Sequence, residues 1–281
     1  MVETPFETIK KTLQNDIPIK LTTFLPKKWE KIGTIAIIKL HHKLNPYKKI
    51  IGITYSKILK CKTILNDIGG IVGKYRKPHV EILYGSQDTE TLHKENGIRY
   101  FLDVQNIMFS SGNMSERLRM ANASNTNETV VDLFAGIGYF TLPIAVFCKP
   151  RKIYSCEINP IAYKYLCKNI VLNHVTSIVE PLFGDNRTIA PHNVAERVIM
   201  GYFENIEQFI PTAFHCLKNY TGFIHYHDLC SKEEIPIKSF NLVEKIAQKY
   251  QRNVELLHVQ NVKSYAPGIN HIVLDIEVSA L

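Results

Sequence analysis

The run Asp132-Leu-Phe-Ala-Gly-Ile-Gly-Tyr-Phe-Thr141 carries the strongest chemical signal in the sequence. A short apolar strand, Thr129 to Phe134, holds an acid near its end, and a turn with Gly136 and Gly138 leads into an expected helix from Gly138 to Phe147. Glycines let a backbone bend sharply and approach a ligand closely. In a dinucleotide fold such a turn faces a pyrophosphate. Here position 141 is Thr, so the third glycine of that spacing is absent. An acid ahead of the turn suits a cationic or amine-bearing ligand better than a phosphate. Glu157 ends the next strand, Lys152 to Glu157, placed to accept both ribose hydroxyls of an adenosine. Asp185-Asn186, at a further strand end, suits the adenine amino edge. Polar groups at three successive strand ends form one crevice, the expected ligand site of an open α/β sheet.

The elements that must hold this crevice follow from the apolar pattern. From about residue 116, apolar strands alternate with helical stretches, which signals a parallel α/β sheet. Asn159 is placed to cap a helix that Pro160 opens and that runs to about Asn173. Strand, helix and strand recur at 178–183, 196–201, 206–219 and 222–228, and two strand-like runs, Val254–Val259 and His271–Val278, close the chain as a hairpin. Residues 17–115 read as a smaller α+β domain: a strand over Ile32–Leu40, a helix over Ile50–Leu59, and alternating strands at His79–Tyr84 and Ile98–Asp103. Residues 1–16 read as a short helix or loose arm. The expected fold is therefore α/β, a Rossmann-like seven-stranded sheet over residues 116–281 preceded by the smaller domain.

The chain has 281 residues and a formal net charge of +8. Such a balance points weakly to an anionic partner such as nucleic acid, and equally to simple solubility. Lys48, Lys49, Lys57, Lys60, Lys62, Lys74, Arg76 and Lys77 are scattered over the first half; they become a nucleic-acid footprint only if folding gathers them. None of the six cysteines forms a Cys-x-x-Cys pair, so neither a zinc site nor a redox motif is indicated, and a reducing, cytoplasmic setting is expected. No metal is expected. No leader peptide and no apolar run of membrane-spanning length is read, so no membrane is expected. The lone Trp29 reads as packing.

Residues 129–186 resemble an S-adenosylmethionine-binding domain of the class I methyltransferase type. More narrowly, Phe109-Ser-Ser-Gly-Asn-Met-Ser-Glu-Arg-Leu-Arg119, the glycine turn and Glu157-Ile-Asn-Pro160 resemble the tRNA guanine-37 N1-methyltransferases and their wybutosine-pathway relatives. Gly70-Ile-Val-Gly-Lys-Tyr-Arg76, Thr91-Leu-His-Lys-Glu95 and Val262-Lys-Ser-Tyr-Ala-Pro267 extend the resemblance to roughly residues 17–278. Two departures select a branch. Ser111-Gly112-Asn113 stands where the methyltransferases carry Pro-Arg, and Met200-Gly201-Tyr202-Phe203-Glu204 lacks their proline. Both resemble the aminocarboxypropyltransferases of wybutosine synthesis. That resemblance implies transfer of the 3-amino-3-carboxypropyl group of S-adenosylmethionine to carbon 7 of 4-demethylwyosine at position 37, in the anticodon loop of phenylalanine tRNA. It implies a monomer whose residues 17–115 contact tRNA. Guanine-37 N1-methyl transfer, another methyltransferase acting on rRNA or protein, and a non-catalytic tRNA-binding protein that retains the cofactor fold stand as alternatives.

The site residues expected for the cofactor are Ser111, Arg117, Asp132, Ala135, Gly136, Gly138, Glu157, Ile158, Asp185 and Asn186. Arg117 and Ser111 are placed to hold the carboxylate of the methionine arm, with an acid such as Glu116 as the rival partner for Arg117. Tyr202 is read either as a stacking platform for a flipped base or as a core aromatic. Glu204, His225, His227 and Asp228 are candidates to accept the proton that a ring carbon releases. Catalysis is thus assigned to Ser111, Arg117, Tyr202 and Glu204.

Overall fold

The computed structural model describes residues 3–73 and 75–281; Lys74, one of the basic residues noted above, lies outside them. The chain divides into two compact units, residues 1–95 with 99–111 and residues 96–98 with 112–281.

In the first unit, α1 (Pro5–Leu13) begins with a reciprocal cap: Thr4 accepts from the Glu7 amide, and Glu7 accepts from the Thr4 amide. Strands β1 (Trp29–Ile32), β2 (Ile35–Ile38), β3 (Thr63–Val72) and β4 (Lys77–Tyr84) form one sheet in that order. The β2–β3 pair is parallel, which requires a crossover, supplied by α2 (Lys48–Leu59). The single strand expected over Ile32–Leu40 is instead the β1–β2 hairpin. Gly33, at φ +55°, turns the chain where a side chain would strike Thr91. Ile9, Leu13, Ile38, Leu44, Ile51 and Tyr55 fill the core, and Trp29 packs edge-on against Tyr55, as expected of a packing residue. β5 (Glu90–Glu95) and β6 (Ile98–Asp103) pair as a separate ribbon.

The second unit begins with α3 (Met114–Met120) and is built on seven strands: β7 (Thr129–Asp132), β8 (Lys152–Glu157), β9 (Val179–Phe183), β10 (Arg197–Met200), β11 (Gly222–Ser231), β12 (Arg252–Ala266) and β13 (Ile269–Ala280). Their order across the sheet is β12-β13-β11-β10-β7-β8-β9. The first five strands in sequence run parallel, and β13 returns antiparallel to β11 with β12 outside it. The chain winds outward in both directions from the β7–β10 boundary, the switch point at which such sheets bind ligands. Helices α5 (Pro160–Leu172), α7 (Ile210–Cys216) and α8 (Ile237–Lys249) are joined by two single-turn elements, α4 (Thr141–Pro143) and α6 (Asn186–Ile189). Asn159 caps α5 by accepting from the amides of Ile161 and Ala162, and Pro160 occupies its first turn, as expected. The helix expected over Gly138–Phe147 begins at Thr141 and runs to Cys148, with only its first turn wound as an α-helix. After α4 the chain widens into a π-turn, Ile144–Cys148, and Lys149 takes a left-handed conformation that ends it.

Candidate cofactor crevice

Asp132 closes β7 fully buried. Its carboxylate accepts from the Phe134 amide at 3.2 Å and from the Thr141 hydroxyl at 2.8 Å. Thr141 lies 2.9 Å from the Ser155 hydroxyl. The residue that replaces a third glycine therefore anchors the acid. The turn between them is held by the neighbouring strand: the Ala135 amide donates to the Cys156 carbonyl at 2.9 Å. It is also held from below, where the Asn169 amide group on α5 donates to the Ile137 carbonyl at 3.1 Å. Gly136 has φ +59°, and a side chain there would collide with the Tyr139 ring.

Glu157 closes β8 beside this turn. One of its oxygens accepts from the Gly136 amide at 2.7 Å and the other from the Asn159 amide at 2.6 Å. Each oxygen keeps a lone-pair direction for a further donor, the arrangement a ribose diol requires. Burial pushes the Glu157 carboxyl up to about 7 against the pull of those two amides, and pushes Asp132 up to about 6 against the pull of Thr141 and Phe134. No cation pairs with either acid among the described residues. A ligand carrying positive charge supplies what the burial lacks.

The Asp185 carboxylate caps α6 at the Arg187 amide and forms an ion pair with the Arg187 guanidinium at 2.5 Å. Asn186 is buried, donates to the Leu133 carbonyl at 2.8 Å, and leaves its Oδ1 with no partner among the described residues. A buried acceptor without a donor is expensive, so this atom fits an amine-bearing ligand edge. Ile158 is half-buried beside Glu157, and Ala135 and Gly138 lie within the turn. The structure thus gathers Asp132, Ala135, Gly136, Gly138, Glu157, Ile158 and Asn186 at the carboxyl ends of β7, β8 and β9.

The other expected residues fall as follows. Arg117 is buried on α3, and its neighbour Glu116 pairs with Arg119 at 2.7 Å. Ser111 belongs to the first unit, where its amide donates to Glu30 at 2.8 Å. Tyr202 stacks on Phe134 with centroids 5.1 Å apart and donates to Glu204 at 3.3 Å. Glu204 itself is exposed. The four candidates for proton acceptance separate. His225 is buried and bound at both nitrogens, to Asp275 at 2.6 Å and Arg197 at 2.8 Å. Asp228 accepts from Ser239 of α8 at 2.7 Å, and His227 Nδ1 lies 3.0 Å from His271 Nε2. Three residues that hold the crevice escaped the sequence reading: Thr141, Ser155 and Asn169. A hydroxyl at the vacant third-glycine position was the available signal for Thr141; nothing local marks the other two.

A mostly parallel sheet with this strand order and an antiparallel closing hairpin, an acid and glycine turn at the end of β7 and a diol-accepting acid at the end of β8 define a class I S-adenosylmethionine-binding domain. Residues 91–257 match the TRM5/TYW2 methyltransferase domain, and residues 9–89 match the TYW2 N-terminal domain. The chain belongs to the TRM5/TYW2 family. It is 42% identical, over 96% of both chains, to the tRNA(Phe) (4-demethylwyosine(37)-C(7)) aminocarboxypropyltransferase of Pyrococcus horikoshii. The crystal structure of P. horikoshii TYW2 in complex with MeSAdo superposes with a TM-score of 0.87 at 40% identity, covering 97% of this chain and 98% of that one. That of M. jannaschii TYW2 in complex with AdoMet gives 0.75 at 38% identity, covering 90% and 100%. The cofactor of the family is S-adenosylmethionine, and the Glu157, Asp132 and Asn186 environment fits it.

Proposed function

We propose that the chain transfers the 3-amino-3-carboxypropyl group of S-adenosylmethionine to carbon 7 of 4-demethylwyosine at position 37 of tRNA(Phe), releasing methylthioadenosine. The observation that carries this reading is a match running the length of both chains to a relative of that activity. It spans the first unit as well as the cofactor domain.

When bound, the cofactor supplies a sulfonium whose three attached carbons are all open to attack. The chain decides among them by position, since reacting atoms must lie about 3–3.5 Å apart and in line. Glu157 orients the ribose through its two oxygens. Asp132 fixes the glycine turn and contributes negative charge. Asn186, with Asp185 beside it, receives the adenine edge. Arg117 holds the carboxylate of the methionine arm, turning the arm's carbon rather than the methyl toward the acceptor. Arg suits this task because its planar fork matches a carboxylate bidentately. Tyr202 and Glu204 border the acceptor base. Residues 17–115 contact the tRNA, with Lys49, Lys57, Lys60 and Lys77 among the cationic groups for phosphate contacts. The protein acts in the cytoplasm as a monomer.

The small-molecule product tests the branch. Incubation with cofactor and substrate tRNA is expected to release methylthioadenosine. Adenosylhomocysteine in its place would assign the chain to methyl transfer.

A further inference from the structure

Two imidazoles in the second unit each keep one ring nitrogen without a hydrogen-bond partner among the described residues. His227 on β11 and His271 on β13 are buried, with His227 Nδ1 3.0 Å from His271 Nε2. The outer nitrogens, His227 Nε2 and His271 Nδ1, have no hydrogen-bond partner among the described residues. A buried polar atom left open costs about 1–3 kcal/mol. His225, two residues earlier, shows the alternative, since both of its nitrogens are bound.

The pair lies where it can serve the reaction. The His227 ring packs on Phe140, 4.9 Å between centroids, and Phe140 directly follows the glycine turn. The same phenyl ring lies against Gly201, where a side chain would come within 2.8 Å of it. The His271 ring packs edge-on against Phe203 at 4.6 Å. Gly201 and Phe203 belong to the run that leaves β10, the strand across the switch point from β7. The two imidazoles therefore pack against both segments that flank the cofactor crevice.

We propose that His227 and His271 form a proton relay that receives the proton released by the acceptor carbon. The proposal rests on the reading that the acceptor is a ring carbon. In that transfer the ring's π electrons form the new carbon–carbon bond, and the sulfur–carbon pair stays on sulfur. The acceptor's carbon–hydrogen pair then returns to the ring, and the proton passes to His227 Nε2. When His227 Nδ1 donates the shared hydrogen, His227 Nε2 is a bare acceptor and His271 Nδ1 carries hydrogen. A proton arriving at the first atom sends the shared hydrogen to His271 Nε2 and releases the His271 Nδ1 proton to water. Both rings end neutral. Neutrality matters because burial, with His271, His225 and Arg119 nearby, holds His227 well below its ordinary range, opposed by Asp275. Burial and Lys263 push His271 down to about 3. A standing imidazolium is disfavoured here; a relay needs none.

The test uses the full chain, cofactor and substrate tRNA carrying deuterium at the acceptor carbon. His227→Asn and His271→Gln each retain a group for the bond between the two side chains and remove the outer nitrogen. Each is expected to lower kcat about 100-fold, leave cofactor affinity unchanged and raise the isotope effect above that of wild type. Wild-type rates in both variants overturn the relay, as does a slowed variant with no rise in isotope effect. Should either variant lose cofactor affinity, single turnovers of the wild type in H2O–D2O mixtures decide. A curved dependence on deuterium content supports two protons moving together, and a linear one overturns it. Absence of any product with wild type would sink the acceptor reading itself, whereas product with unaffected variants would sink only the relay.

Discussion

Glu128, Arg197, His225, Asp275, Arg119 and Glu116 form one continuous chain of contacts, whereas Asp132 and Glu157 have no cationic partner among the described residues. Along the chain Glu128 meets Arg197 at 2.7 Å, Arg197 meets His225 at 2.8 Å, His225 meets Asp275 at 2.6 Å, and Arg119 meets Asp275 at 2.5 Å and Glu116 at 2.7 Å. Burial acts against the Asp275 carboxylate, but His225 and Arg119 outweigh it and hold the group well below the usual range. Arg197 does the same for Glu128. Glu116, at the end of the chain, is raised by burial despite Arg119. At Asp132 and Glu157 the opposition comes from neutral hydroxyl and amide donors alone, and burial wins. The compensated charges tie α3, β10, β11 and β13 into the fold. The uncompensated ones line the crevice, and functional sites are where strongly perturbed groups accumulate.

Breaking the compensated set should give the largest effect. Glu128→Ala leaves the buried Arg197 guanidinium with His225 and the Phe223 ring, and is expected to lower unfolding free energy by about 3–5 kcal/mol in urea titrations. Cofactor affinity of the folded fraction should hardly change. The crevice should respond in the reverse manner. Glu157→Gln removes a charged acceptor, and calorimetric titration should show cofactor affinity lowered about tenfold to a hundredfold. Thr141→Val, which strips the hydroxyl from Asp132 and Ser155, is expected to lower stability by about 1 kcal/mol and to weaken cofactor binding with it.

The pH dependences sharpen the contrast further. Glu157 and Asp132 have folded values raised above their unfolded ones, so without cofactor their contribution to stability is lost as pH rises through about 6 to 7. Glu157→Gln should flatten part of that fall in thermal unfolding runs across this window. Cofactor affinity should move the other way, rising with pH through the same window as both acids ionise toward a cationic ligand. A flat affinity profile would separate the raised values from cofactor binding.

Much of the crevice was legible because its determinants are local. Apolar strands end at acids, glycines follow at once, and a cap with a proline opens α5. The glycine turn therefore announced itself, while its anchors did not. Asn169 reaches Ile137 over 32 positions, and the charge chain joins Arg119 to Asp275 over 156. The run His225-Tyr-His-Asp228 reads as one polar cluster, yet a strand sends successive side chains to opposite faces. His225 and His227 share one face, while Asp228 meets Ser239 of α8 on the other. The helix expected after Gly138 starts at Thr141, and its π winding beyond Pro143 was hidden because apolar content alone does not report residues per turn. The strand expected over Ile32–Leu40 was misread because Gly33-Thr34 sits inside a continuous apolar run.

The reaction itself is tested most directly by mass spectrometry of position-37 nucleosides after incubation with cofactor and tRNA(Phe) bearing 4-demethylwyosine. The account predicts a gain equal to one aminocarboxypropyl group on that base. A gain equal to one methyl group, or an unchanged base in the presence of bound cofactor, would contradict it.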